Sequence, residues 1–197
     1  VDVCLHNNLH VPMSLEVLRA GKHCYCEKPM AGSYADAKHL YEEARKTGKE
    51  LSIHLDFLFR PQSRIARKMV ENGELGQVYH ARSVGLRRCM RPGLDVPPPA
   101  FSRDFLTKRW AGHGALYDMG VHGLTMTTGI LGPAKAVGCM AKISEPVRTV
   151  RTGTFDGMQI QADQLYDNYI ITLDYGERTM AVVESGFCQK DSRAPQM

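Results

Sequence analysis

Two short stretches of this chain carry residue types able to do acid–base chemistry. The first is Gly21-Lys22-His23-Cys24-Tyr25-Cys26-Glu27-Lys28-Pro29. It sets an ammonium beside a carboxylate where a short apolar strand runs out, and the carboxyl ends of parallel strands are where α/β sheets bind ligands. Pro29 fixes its own φ and biases Lys28 away from helix, which restricts where the Lys28 side chain points. Such a pair, partly desolvated, can give and take protons near neutral pH. The second stretch runs Trp110-Ala111-Gly112-His113-Gly114-Ala115-Leu116-Tyr117-Asp118-Met119-Gly120-Val121-His122. Asp118 and His122 are four residues apart, so on a helix they share one face. A carboxylate beside an imidazole orients it and raises its basicity, which makes His122 a credible general base. Each stretch also has a plainer reading: a solvated Glu–Lys pair in a turn, and an acidic residue near a helix start with a packed histidine. A third reading takes His113, Asp118 and His122 as zinc ligands. Their spacing is unlike H-E-x-x-H, and no metal is expected.

The elements that must position these residues follow from periodicity. Val1–Leu5 is short, apolar and β-branched, as in a buried parallel strand. A loop holding His6, Asn7, Asn8 and His10 follows, then a helix over 11–20 that ends at Gly21. His23–Cys26 is a second strand. Ser33-Tyr34-Ala35-Asp36 has the capping-box pattern, and the helix it opens carries Ala37, Leu40, Tyr41 and Ala44 before stopping at Gly48. Leu51–Phe57 is a third strand. The alternation β, α, β, α, β argues for a parallel sheet with right-handed crossovers.

Beyond Arg60-Pro61 the pattern changes, and the boundary between two units is placed there. A helix covers 62–72, a half-exposed strand covers Gln77–Gly85, and 86–111, rich in Pro and Arg, reads as a long loop of the kind that is functional or disordered. Ala115–Leu131 is a helix weakened by Gly120, Gly123 and Gly129, so packing must hold it. Strand-like stretches at 134–143, 168–175 and 179–188, the last two joined at Gly176-Glu177, predict an open, mainly antiparallel sheet with helices on it.

Composition narrows the function classes. No apolar run approaches the roughly 18 residues of a membrane span. The net charge of +4 is mild, and the scatter of Arg87, Arg88, Arg91, Arg103, Lys108 and Arg109 has few aromatics beside it, so nucleic acid is not the expected partner. Cysteines 4, 24, 26, 89, 139 and 188 contain no C-x-x-C pair, which fits a reducing cytoplasm. The chain opens on Val1-Asp2-Val3-Cys4 with neither a leader nor an initiator Met, and residues are expected to precede it.

Taken together the two stretches resemble one family. Asn7–Pro29 is similar to the Asn-x-x-His, Gly-Lys-His and Glu-Lys-Pro segment of the Gfo/Idh/MocA oxidoreductases. Ala111–Gly123 is similar to their Gly-Gly-Gly-Ala-Leu-x-Asp-x-Gly-x-His helix. Phe59-Arg60-Pro61 and Glu71-Asn72-Gly73-Glu74-Leu75-Gly76-Gln77-Val78 resemble two further landmarks, in the family's order and spacing. The resemblance implies an α/β fold: residues 1–60 are the C-terminal part of a Rossmann-like parallel sheet, the remnant of a dinucleotide-binding domain. Residues 61–197 are then an α+β domain with an open, mainly antiparallel sheet for substrate, catalysis and oligomerisation, incomplete at its C-terminus.

It also implies NAD or NADP as cofactor and a sugar, inositol or related polyol as substrate, with a homo-oligomer formed through the open sheet. Lys28 would bind the substrate hydroxyl, His122 would be the main acid/base, and Asp118 would position both substrate and His122. Asn7, His10, Glu27 and Lys28 would line the nicotinamide end of the cofactor. Arg109, Trp110 and His113 stand as candidate substrate contacts. Two other readings survive: an NAD-dependent glycoside hydrolase of the same family, and a non-catalytic relative used for binding or assembly. The chain departs from the pattern in several places. No G-x-G-x-x-G is present, which the resemblance ascribes to a start at the fourth strand of the sheet. His6 stands where Pro is more usual, His113 replaces the middle glycine of the triplet, and Thr125 stands where Asp is common.

Overall fold

Three parallel strands open the chain: β1 (Asp2–Val3), β2 (Cys24–Glu27) and β3 (Leu51–His54), paired in the order β1-β2-β3. A computed structural model describes residues 1–86, 114–149, 156–161, 165–176 and 178–189. Helices α1 (Asn7–Arg19) and α2 (Tyr34–Thr47) make the two crossovers. They close an apolar core of Val3, Leu15, Leu18, Cys24, Cys26, Leu40 and Ala44. Ser33 caps α2 by accepting from the Asp36 N–H at 3.1 Å, and Gly48 ends it in the left-handed conformation at φ 64°, as the sequence pattern predicts.

Helix α1 starts earlier than periodicity predicts. Asn7, Asn8 and His10, expected in a loop, form its first turns, and Pro12 lies inside it. The polar start hides the helix because its buried stripe begins with His10 and Ser14 before reaching Leu18. Pro12, the sixth helical residue, forgoes the main-chain bond to the Asn8 carbonyl.

Beyond β3 a 3-10 turn (Asp56–Phe59) leads into α3 (Pro61–Glu71), with Pro61 at the favourable first helical position. The second sheet has the order β4-β9-β8-β5, with β4 (His80–Leu86), β5 (Ala136–Lys142), β8 (Asn168–Asp174) and β9 (Met180–Gly186). Its β8–β9 and β5–β8 ladders are antiparallel, while β4 runs parallel to β9. Two short strands, β6 (Val147–Thr149) and β7 (Gln159–Gln161), form a separate antiparallel ribbon that periodicity does not predict.

Alternation decides which face of this sheet is covered. Tyr169, Ile171, Leu173, Ala181 and Val183 point inward and are buried, whereas Met140, Ile170 and Met180 stand exposed on the outer face. The covering element is a π turn (Leu116–Gly120) running into α4 (Val121–Leu131). Its glycines are the means of contact. A Cβ at Gly123 would lie 2.7 Å from Val183 Cγ1 and 2.9 Å from Ser83 Oγ, and one at Gly120 would sit 3.3 Å from Ser185. Residues that weaken the isolated helix thus let it lie close against β4 and β9.

Candidate active site

The site forms where the carboxyl ends of β2 and β3 meet the π turn. Lys28 Nζ donates to Asp118 Oδ1 at 2.6 Å and to the Asp118 main-chain carbonyl at 3.0 Å, joining residues ninety apart in sequence. Both side chains are mostly but not fully buried, at 18% and 23% exposure. The π turn widens the main chain by one residue per turn, an irregularity frequent at functional sites. A second bridge runs beside the first, with Tyr117 Oη donating to the Gly32 carbonyl at 3.0 Å. Burial pushes the Tyr117 phenol up, so it stays protonated as that donor.

Glu27 is held by neighbours on both sides. Its Oε1 lies 2.7 Å from His54 Nδ1, and its Oε2 accepts the Lys28 N–H at 3.2 Å. His54 is the parallel-register partner of Glu27 on β3, so the sheet itself places the pair. The Lys28–Pro29 peptide is cis. Beneath it the buried His10 ring has Nδ1 2.7 Å from the Pro29 carbonyl and Nε2 3.0 Å from the Leu5 carbonyl. His10 therefore ties the end of β1 to the main chain just after Lys28. Asn7, half-buried, begins α1 at the same end of the sheet. Cys26, one residue from Glu27, faces the core, and burial pushes its thiol up to about 11, which leaves it inert at neutral pH.

His122 lies on the first turn of α4, its ring centroid 4.4 Å from that of Phe57 and inclined by 35°. The Arg60 guanidinium sits 3.8 Å from the same Phe57 ring and donates to Asp56 Oδ2 at 2.7 and 3.1 Å. Arg60 beside Asp56 holds that carboxyl below its ordinary value.

Of the residues singled out from sequence, Asn7, His10, Glu27 and Lys28 gather at one end of the parallel sheet, and Asp118 meets them through Lys28. The Asp118 carboxylate, read from sequence as the partner of His122, is engaged by Lys28. Arg109, Trp110 and His113 lie outside the described residues. Sequence reasoning missed His54, Phe57 and Tyr117. For His54 the sequence places the residue on a strand, but not the register that sets it beside Glu27. Phe57 reads as strand and has no local signature of its partner. Among the described residues no group of three or more His, Cys, Asp or Glu side chains could hold a metal ion, and no helix is long and apolar enough to cross a membrane.

The donor set fits the nicotinamide end of a dinucleotide. Asn7, Glu27 and Lys28 stand part-exposed beyond the carboxyl ends of parallel strands, and offer amide, carboxylate and ammonium groups there.

Residues 1–55 match the family model described as an oxidoreductase family with an NAD-binding Rossmann fold, and residues 63–197 match the GFO/IDH/MocA C-terminal domain. The chain is 36% identical over 132 residues to D-glucoside 3-dehydrogenase of Escherichia coli (strain K12), covering 67% of this chain and 35% of that protein. It is 27% identical over 158 residues to levoglucosan dehydrogenase of Pseudarthrobacter phenanthrenivorans, covering 80% and 39% respectively. The crystal structure of aldose-aldose oxidoreductase from Caulobacter crescentus, complexed with glycerol, superimposes with a TM-score of 0.75 at 26% identity, covering 95% of this chain and 50% of that one. The chain thus spans between about a third and a half of the length of these relatives. With one model matching 1–55 and the other 63–197, the chain belongs to the GFO/IDH/MocA family of oxidoreductases.

Proposed function

We propose that this chain supplies the catalytic residues of an NAD(P)-dependent oxidoreductase acting on a carbinol carbon of a sugar, inositol or related polyol. The observation that carries the reading is the 2.6 Å contact between Lys28 and Asp118, which brings the two motif stretches into one site. On this reading residues 1–60 belong to the cofactor-binding domain and 61–197 to the substrate domain. Asn7, Glu27 and Lys28 face the nicotinamide end, and His10 supports the Lys28 loop from beneath.

Lys28 has three N–H donors, two of which Asp118 engages; the third is then available to a substrate oxygen. Asp118 holds the ammonium in place through its carboxylate and its main-chain carbonyl. During oxidation the substrate hydroxyl loses its proton to His122, while Lys28 stabilises the negative charge that develops on oxygen. Asn7, Glu27 and Lys28 would hold a nicotinamide, whose chemistry would be to take hydride from the same carbon in oxidation and return it in reduction. Glu27, fixed by His54 and the Lys28 N–H, orients polar groups at the cofactor side. The names of the dehydrogenases similar to this chain support a carbohydrate substrate. The exposed outer face of the second sheet, with Met140, Ile170 and Met180, supports assembly as a homo-oligomer.

The test is a screen of the full-length protein against glucosides, anhydrosugars and inositols with NAD and NADP, following reduced nicotinamide. Net cofactor reduction coupled to a keto product is expected. Sugar cleavage without net cofactor reduction would replace this reading with the hydrolase of the same family. Absence of both reactions would favour a binding relative.

A further inference from the structure

We propose that Phe57 is a positioning residue that sets the ring plane of His122, and that the connector 55–60 between the two sheets acts as its clamp. The inference rests on the reading of His122 as the acid/base group. It begins with the 4.4 Å separation and 35° inclination of the two rings. Aromatic pairs at this separation attract beyond their buried area, and the preference has a geometry. An imidazole turns about two side-chain torsions, and its nitrogens lie in the ring plane. Fixing the plane against a neighbouring ring therefore fixes the line along which a proton arrives or leaves.

The Phe57 plate is itself held from two directions. Arg60 places its guanidinium 3.8 Å from the Phe57 ring centroid, a cation–π distance, and Asp56 holds that guanidinium with two hydrogen bonds. All three residues come from one turn of chain, Asp56 to Arg60, so the clamp is preformed by local structure. The next residue, Leu58, seats the turn on α4. A Cβ at Gly129 would collide with Leu58 Cδ1 and lie 3.1 Å from Cδ2. His122 and Gly129 are seven residues apart on α4, two turns along one face. The connector thus grips a single stripe of the helix at two points, the imidazole at one and the notch left by a glycine at the other.

The end of β3 and the connector after it therefore serve both sheets. His54, at the end of β3, holds Glu27 on the cofactor side, and Phe57, three residues on, holds His122 on the substrate side. Proton transfer needs close, aligned groups, and a misplacement of ~1 Å can cost on the order of 10²-fold in rate.

Phe57→Leu keeps an apolar side chain and removes the flat face, while Phe57→Tyr keeps the face. In the full-length protein Phe57→Leu is expected to lower kcat on the order of 10-fold to 100-fold, with KM for sugar and cofactor held within about two-fold. Phe57→Tyr should restore most of the loss. Gly129→Ala, which pushes Leu58 off its seat, should lower kcat in the same direction. A readout independent of turnover is the 13Cε1–1H resonance of His122 in protein labelled at histidine, assigned with His122→Asn. The Phe57 ring current should displace it in wild type and in Phe57→Tyr, and the displacement should vanish in Phe57→Leu. If His122→Asn turns over like wild type, the acid/base reading fails, and the resonance alone then shows whether Phe57 holds the ring. A His122 resonance unchanged in Phe57→Leu, or a kcat equal to wild type in that variant while His122→Asn is inactive, overturns the proposal.

Discussion

The Lys28–Asp118 and Arg148–Asp167 pairs have nearly the same length, 2.6 and 2.8 Å, and opposite surroundings. Arg148 and Asp167 are each 2% exposed. Asp167 also accepts main-chain N–H groups from Ser144 at 2.7 Å and Glu145 at 2.9 Å, while Arg148 donates to the Phe187 carbonyl and pairs with Glu145. The cluster ties β6 to the entry of β8 and the exit of β9, out of reach of solvent. Lys28 and Asp118 are roughly ten times more exposed, and the lysine retains a donor that no described residue engages. A charge pair shut away from solvent is architecture. One that keeps a donor in reserve, at the carboxyl end of a parallel strand, is positioned for a ligand.

Arg148→Ala should break the comparison most severely on the structural side, because it leaves the buried Asp167 carboxylate without its cation. A loss of about 3–5 kcal/mol is expected, read by denaturant unfolding. Lys28→Ala should do the reverse. It should lower kcat by more than roughly 10²-fold while the unfolding midpoint stays near that of wild type; wild-type turnover would remove Lys28 from the chemistry. His122→Asn should remove most activity and flatten one limb of the pH–rate profile, since the amide bonds but does not exchange a proton at neutral pH. An unchanged profile would assign acid/base work to Lys28 alone.

A pH scan sharpens the contrast further. Burial alone would raise Asp167, but the Ser144 and Glu145 N–H groups and Arg148 outweigh it and hold the carboxyl below its ordinary value of 3.8. Its stabilisation is thus fully present above that ordinary value and disappears as pH falls through the lower, folded value. Wild type should lose stability on acidification, and Asp167→Asn, though weaker at neutral pH, should lose less over the same acid range. Equal acid slopes would show that other carboxylates dominate. The smallest effect is expected at Arg67, whose pair with Glu71 is half-exposed on α3: Arg67→Ala should change stability by no more than about 0.5 kcal/mol.

Much of this arrangement is legible in the sequence where the cause is local. The β, α, β, α, β alternation, the Ser33 cap, the Gly48 stop and the strands β5, β8 and β9 all announce themselves within a few residues. The Glu27-Lys28 and Asp118–His122 stretches are equally visible as chemistry. What periodicity does not reveal is which side chain each group meets. The Asp118 carboxylate turns to Lys28, ninety residues away, from a turn that is π rather than α. His54 meets Glu27 only because β2 and β3 pair in a register that residue spacing does not encode. The ribbon β6–β7 and the Arg148–Asp167 pair escape for a related reason. Each strand of that ribbon is three residues long, too short for alternation to register, and the pair spans nineteen residues of chain.

The parallel ladder between β4 and β9 has a consequence for how the molecule acquires activity. His80 pairs with Met180, a hundred residues later, and β9 lies between β4 and β8 in the finished sheet. Asp118 and His122 belong to the chain between β4 and β9, on a π turn and helix whose Gly120 and Gly123 lie close against those strands. Closing so long a loop is entropically slow, and ladders of this kind form late. Recovery of turnover during refolding should therefore lag behind recovery of helical signal.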